Sequence, residues 1–268
     1  MTATVTRRRV TPIPLGVLAA IGIAFLAIPL IGLVLTTPWT RLPALLTSPV
    51  AVEALRLSLV TSISATAVAI LIGVPLAWVL ARAKVPGRTV VRALVTLPLV
   101  LPPVVGGVAL LLAFGRRGIV GQYLYDWFGV QLPFSTAGVI MAEAFVAMPF
   151  LVITVEGALR SADPRFEEAA ATLGASRWTI LRRVTLPLIA PALLAGTILA
   201  WARALGEFGA TITFAGNLPG VTQTLPLAVY SALDTDREAA IALSLVLLAA
   251  SLAVLLLLRD RYLRGGSS

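Results

Sequence analysis

The sequence predicts an all-α, polytopic membrane protein with six transmembrane helices. Of its 268 residues, 59% are hydrophobic and only 12% charged, with a mean hydropathy of +0.98; soluble domains run at about 45–50% and 25%. The apolar residues fall in runs close to the ~20 residues that carry a helix across a bilayer. Between those runs the Lys and Arg residues gather in short clusters, the arrangement that membrane insertion produces.

The composition also excludes several function classes. A net charge of +9 and a pI of about 11.3 suit a nucleic-acid binder only when the basic residues form a face or stripe on a globular domain. Here they lie between apolar runs, so no nucleic-acid partner is expected. Cysteine and histidine are both absent, which removes disulfides, thiol catalysis, Cys/His metal sites and histidine acid–base chemistry. With few buried acids as well, no catalytic constellation can be assembled, and no metal site is expected.

The spans follow in order. The charge-free stretch Val10–Thr40 holds the first, at roughly 14–36. Leu57–Ala81 and Ala93–Phe114 supply the second and third, and residues 135–156, interrupted only by Glu143, the fourth. Val184–Ala202 opens the fifth, whose helix can run on past Arg203 and Glu207, and Ala239–Leu258 is the sixth. With a cytoplasmic N-terminus, fifteen of the 21 basic residues fall inside: Arg7–Arg9; Arg82, Lys84, Arg88 and Arg92; Arg160, Arg165, Arg177, Arg182 and Arg183; Arg259, Arg261 and Arg264. That bias puts both termini inside and requires an even number of spans. Arg7–Arg9 before an apolar run resembles a signal peptide. The run is too long, contains Pro12, Pro14 and Pro29, and lacks a small-x-small cleavage site, so an uncleaved first span is expected. Prolines within the runs either kink the helices for packing or mark hinges. The densest cluster, Pro98, Pro102 and Pro103 with Gly106 and Gly107, is the expected deformable helix.

The inside segment between spans four and five, about 161–183, has its own punctuation. Asp163 suits a helix cap and Pro164 a first turn. Arg165–Leu173 is helix-compatible, with Glu167 and Glu168 near the positive end of its dipole. Gly174 suits the C′ position, and Ser176 caps a second short helix carrying Arg177 and Trp178, which Pro187 disturbs where the membrane resumes. The spacing predicts a helix–Gly–helix knob narrowed by Ala169, Ala170 and Ala171. Residue physics leaves two readings open: a docking knob for another protein, or an amphipathic helix lying on anionic lipid.

The string Glu168-Ala169-Ala170, three residues, Gly174, nine residues, Val184-x-Leu186-Pro187 resembles the EAA loop of ABC importer permeases, departing only in Val184 for isoleucine. The resemblance covers nearly the whole chain, most firmly 53–258. It implies the type I importer permease fold in a bacterial cytoplasmic (inner) membrane. The expected divisions are 1–52 (cytoplasmic arm, first helix and outer loop), 53–258 (transmembrane core) and 259–268 (cytoplasmic tail). It implies that Glu168, Ala169, Ala170, Gly174, Arg177 and Pro187 couple to a separate cytoplasmic ATPase subunit. The chain has no G-x-x-x-x-G-K-[ST] phosphate loop; it is expected to bind no cofactor, ATP-Mg being used by the partner. An extracytoplasmic binding protein and a second identical copy complete the implied assembly in the lipid bilayer.

Phe114–Ile119, Leu124–Gly129 and Ala202–Phe214, followed by Gly216–Gly220 and Gln223–Pro226, resemble the molybdate branch of this family. Molybdate is the expected cargo, tungstate is hard to separate from it, and sulfate or thiosulfate is the runner-up. An oxyanion path suits neutral donors better than a ring of lysines, and Thr211, Thr213 and Asn217 supply them. Arg203 and Glu207, four apart, form either a structural ion pair or part of a gate. Glu143 is protonated, paired with Arg203 or facing water, with the sequence leaving the three open. In the outer loop 114–134, Arg116, Arg117, Tyr123, Tyr125 and Trp127 either anchor at the interface or dock the binding protein. A secondary transporter, a channel and a membrane enzyme are the rivals, and none of them accounts for the knob.

Overall fold

Backbone inside a bilayer has no water to bond, so a spanning chain satisfies its amides within helices. The computed structural model describes the backbone of residues 13–83 and 86–264 and the side chains of 14–83 and 86–256. The arm carrying Arg7–Arg9, Lys84, and the side chains of Arg259, Arg261 and Arg264 lie outside the described residues. The helices are α1 (Ile13–Thr36), α2 (Leu42–Leu46), α3 (Pro49–Arg82), α4 (Arg88–Val100), α5 (Pro103–Phe114), α6 (Gly121–Phe128) and α7 (Thr136–Ser161). They continue with α8 (Arg165–Thr172), α9 (Arg177–Ile180), a π-turn (Leu181–Thr185), α10 (Leu186–Leu205), α11 (Gly209–Phe214), α12 (Leu225–Thr235) and α13 (Arg237–Arg264).

Among the described residues, five stretches are long and apolar enough to cross a membrane: Pro14–Thr36, Pro49–Arg82, Thr136–Ser161, Arg177–Leu205 and Arg237–Leu256. The expected third span comes in two pieces, α4 and α5. Leu101 and Pro102 each precede a proline and are extended, with ψ 130° at both, as the clash with a following pyrrolidine ring dictates. The break falls inside the proline cluster singled out in the sequence. The fifth span does not run past Arg203 and Glu207 as one helix. It ends at Leu205, Gly206 caps it, and a new helix begins at Gly209.

In lipid, helices associate where small side chains let backbones approach. α3, α7 and α10 pack against one another along such a seam: Ala65, Ala69, Gly73 and Ala77 of α3, Ala144 and Ala147 of α7, and Gly196, Ala200 and Ala204 of α10 are all buried. Leu80, Leu151, Val152, Val155, Leu159 and Ile189 fill the space around them. α3 and α7 finish, and α10 begins, at one end of the bundle, where α8 and α9 form a protrusion; this is the knob end. α1 packs against α13 and leaves its apolar side chains open, Phe25 for example at 76% exposure.

At the far end the chain folds back into the bundle. After α11, residues 215–224 form a loop that returns deep enough for the Leu225 amide to donate to Ser58 Oγ on α3 (2.6 Å). Irregular backbone at this depth is sheltered by protein. α11 lies against α5 so closely that a Cβ on Gly107 would sit 2.7 Å from both the Ala210 carbonyl oxygen and Thr213 Cβ. Gly107→Ala is therefore expected to force α5 and α11 apart and lower stability by about 1–3 kcal/mol. Gly157→Ala, whose Cβ meets nothing within 4 Å, serves as the control. Thermal unfolding of the purified protein in detergent compares the two, and equal melting temperatures would show that the α5–α11 contact tolerates the methyl group.

Candidate functional site

The knob is built by local rules. Asp163 Oδ1 accepts the Arg165 amide (2.9 Å) at the start of α8. At its end Gly174 takes φ +81°, donates to the Ala171 carbonyl (2.9 Å), and is followed by a bond from the Ala175 amide to the Ala170 carbonyl (3.0 Å). This is the paired closure of a Schellman turn. Ser176 Oγ then accepts the Thr179 amide (3.2 Å) to start α9. Pro187 brings no amide into the first turn of α10. Just before it the helix widens, with Leu186 N–H bonding back to the Leu181 carbonyl, five residues earlier.

Of the expected coupling residues, Glu168, Ala169, Gly174, Arg177 and Pro187 are exposed and Ala170 is half-buried. Three apolar side chains accompany them: Phe166, Leu173 at 88% exposure and Trp178 at 68%. Apolar groups left open on a charged protrusion mark a contact with another protein or with the membrane.

Beneath the knob lies an ionic layer. Glu156 of α7 is buried and accepts a bond from Arg92 of α4, with Arg88 of α4 at 3.8 Å and Arg160 at 3.6 Å. Glu167 Oε1 accepts from Arg82 Nη2 (3.0 Å) and from Thr185 Oγ1 (2.9 Å). In the sequence, Glu156 passes for the end of the fourth span and Glu167 for a dipole residue alone. The available signal was position: each acid faces an arginine cluster assigned to the same side of the membrane.

At greater depth sits a second polar cluster. α3 turns Ser58, Thr61, Ser62 and Thr66 inward, all buried, at the three- and four-residue spacing of one helix face. Thr61 Oγ1 donates to Glu143 Oε1 (2.9 Å), and Trp201 Nε1 donates to Ser62 Oγ (3.1 Å). Glu143 is 1% exposed in the single chain, and the carboxylate beside Arg203 is that of Glu207. That ion pair spans 2.5 Å, with Glu207 also 1% exposed. Glu207 has a further role: its Oε1 accepts the Ala210 amide (2.7 Å) and so caps α11. The Oγ1 of buried Thr211 has no hydrogen-bond partner among the described residues. Thr213 donates to the Gly209 carbonyl, and Asn217 Nδ2 donates to Ser231 Oγ (2.8 Å). The structure thus brings Arg203, Glu207 and Thr211 together around the α10–α11 turn, and places Asn217 in the returning loop beyond α11. The hydroxyl row of α3 went unread in the sequence, although its spacing was the clue.

On the far surface, α6 presents Tyr123, Trp127 and Phe128 outward. Arg116 lies over the Tyr125 ring, 4.1 Å from its centroid, and donates to its hydroxyl.

The family of binding-protein-dependent transport system inner membrane components matches residues 69–264. The chain is 51% identical over 240 residues to the molybdenum transport system permease protein ModB of Mycobacterium tuberculosis, spanning 89% of this chain and 90% of that one. It is 38% identical over 258 residues to the sulfate transport system permease protein CysT of Escherichia coli, spanning 94% and 93%. A solved bacterial alginate ABC transporter, in complex with an alginate pentasaccharide-bound periplasmic protein, has the same fold, with a TM-score of 0.71 at 20% identity over 95% and 94% of the two chains.

The cap on α11 separates two roles of Glu207. If only the ion pair mattered, exchanging the charges (Arg203→Glu with Glu207→Arg) would restore the stability lost in each single variant. Arginine has no acceptor for the Ala210 amide, so the exchanged protein is expected to stay about 1–2 kcal/mol less stable than the parent. Melting temperatures of the parent, both singles and the double measure this. Full recovery in the double would make the cap irrelevant.

Proposed function

The chain belongs to the binding-protein-dependent transport system inner membrane components, and on that premise we propose that it forms the transmembrane path for molybdate, with tungstate its chemical near-equal. It is a multi-pass inner-membrane transport subunit of an ABC importer, not an enzyme; ATP hydrolysis belongs to a separate ATPase partner. The observation that carries the coupling role is the exposed knob, whose Glu168-Ala169-Ala170 and Gly174 stand beside open Phe166, Leu173 and Trp178. Likeness favours the cargo, since identity to a molybdenum permease is 51% and to a sulfate permease 38%.

In this reading the knob end is cytoplasmic, both termini lie inside, and Glu168, Ala169, Ala170, Gly174, Arg177 and Pro187 make the coupling surface. Six spans enclose little space, so the path lies between two identical copies. An external binding protein delivers the anion at the far end. ATP closes the ATPase pair, the knobs move together, the path opens outward, and hydrolysis resets it. The chain itself binds no cofactor; ATP-Mg stays with the partner. Glu143, Arg203, Glu207, Thr211, Thr213 and Asn217 make the gate and the lining. The Thr211 hydroxyl supports this, because a buried donor without an acceptor among the described residues suits a passing oxyanion.

The test is ATPase activity in proteoliposomes that hold the chain and its ATPase, with binding protein loaded with molybdate, tungstate or sulfate. Molybdate-loaded protein is expected to stimulate hydrolysis, and Glu168→Arg to cut that stimulation by about tenfold or more while the complex still copurifies. Stimulation by sulfate alone would keep the importer and change the cargo. Failure of any ATPase to associate would overturn the coupling role.

A further inference from the structure

α8 touches the rest of the protein mainly through its own loop, packing on α9 and the π-turn. One side chain reaches further. Glu167 stands one residue before Glu168, about 100° around the helix, so while Glu168 is exposed, Glu167 is half-buried toward the bundle. A single atom, its Oε1, receives Arg82 from the last turn of α3 and Thr185 from the π-turn at the foot of α10. Thr185 is wholly buried. α3 and α10 are two of the three helices in the central seam. The segments on either side of α8, at 162–164 and 173–176, are short and non-helical and link it to α7 and α9.

We propose that Glu167 is the positioning residue that carries knob displacement into the membrane bundle, pulling on α3 through Arg82 and on α10 through Thr185. The inference rests on the coupling role given above. The geometry suits a pivot rather than a weld. Arg82 offers one nitrogen to one oxygen, its Nε has no partner among the described residues, and a single-point contact turns where a two-point fork would lock. The π-turn adds compliance at the same place, since widened turns of this kind mark helices at functional sites.

The experiment uses the full complex in proteoliposomes and reads anion imported per ATP hydrolysed for Glu167→Gln, Thr185→Val and Thr185→Ser. A second reading is amide hydrogen exchange over residues 165–173 in the detergent-solubilised chain. Glu167→Gln and Thr185→Val are expected to copurify with the ATPase and to hydrolyse ATP, yet to import about fivefold less per ATP. Thr185→Ser, which keeps the hydroxyl, is expected to match the parent. Exchange in Glu167→Gln is expected to quicken about tenfold, the scale of one charge-assisted hydrogen bond. Unchanged import per ATP, or exchange no faster than in the parent, overturns the proposal. If the parent complex itself imports nothing, the functional reading has failed, and the exchange result still decides whether Glu167 holds the knob.

Discussion

Lipid gives two apolar helices little reason to prefer each other over the surrounding acyl chains, so their association depends on how closely their backbones meet. The seam of alanine and glycine joining α3, α7 and α10 meets that constraint, and the rest of the molecule is arranged around it. The hydroxyl row of α3 lies along the same helix as the seam and meets Glu143 and Trp201 from the two helices packed on it. α3 and α10 also end at the knob, so the best-packed helices are those the knob can reach. α1, with its open apolar surface, contributes little to this core.

Buried carboxylates divide the bundle into two levels. A charge taken out of water needs partners within the protein, and each level supplies them differently. Near the knob, Glu156 gathers arginines from α4 and α7 and so pins the first half of the broken span to the fourth. Deeper in, Glu207 combines one arginine with a backbone amide, and Glu143 holds a single threonine. The upper level ties helices together. The lower one joins α3 to α7 and α10 through hydroxyls and also places the buried Thr211 hydroxyl without a partner among the described residues.

Much of this was legible in the sequence. Charge-free runs gave the spans because length and hydropathy act locally, and the knob's punctuation could be read because Asp163, Gly174 and Ser176 act within their own turns. The break at Leu101–Pro102 followed from two adjacent prolines, though its result, two helices rather than a bend, depends on how α5 settles against α11. The end of α10 at Leu205 was not legible, because Arg203 and Glu207 at four-residue spacing read as one helix face. Only the fold shows the Glu207 carboxylate turned to cap a new helix. Glu167 does stand in the first turn of α8, as the sequence indicates, but its partners lie 85 and 18 residues away, beyond the reach of any local pattern.

The widened turn at 181–185 also sets the phase of everything after it. One extra residue per turn rotates the following helix by about 100° relative to an unbroken α-helix. Trp201 reaches Ser62 of α3 from a helix that leaves the knob with that angular offset, whereas Arg203 and Glu207, four residues apart, turn together with it. From Thr185 to Arg203 is about 27 Å at 1.5 Å per residue. A registry chosen at the membrane surface thus decides which face of the helix is presented deep inside, and the two ends of α10 are correlated by winding as well as by contact.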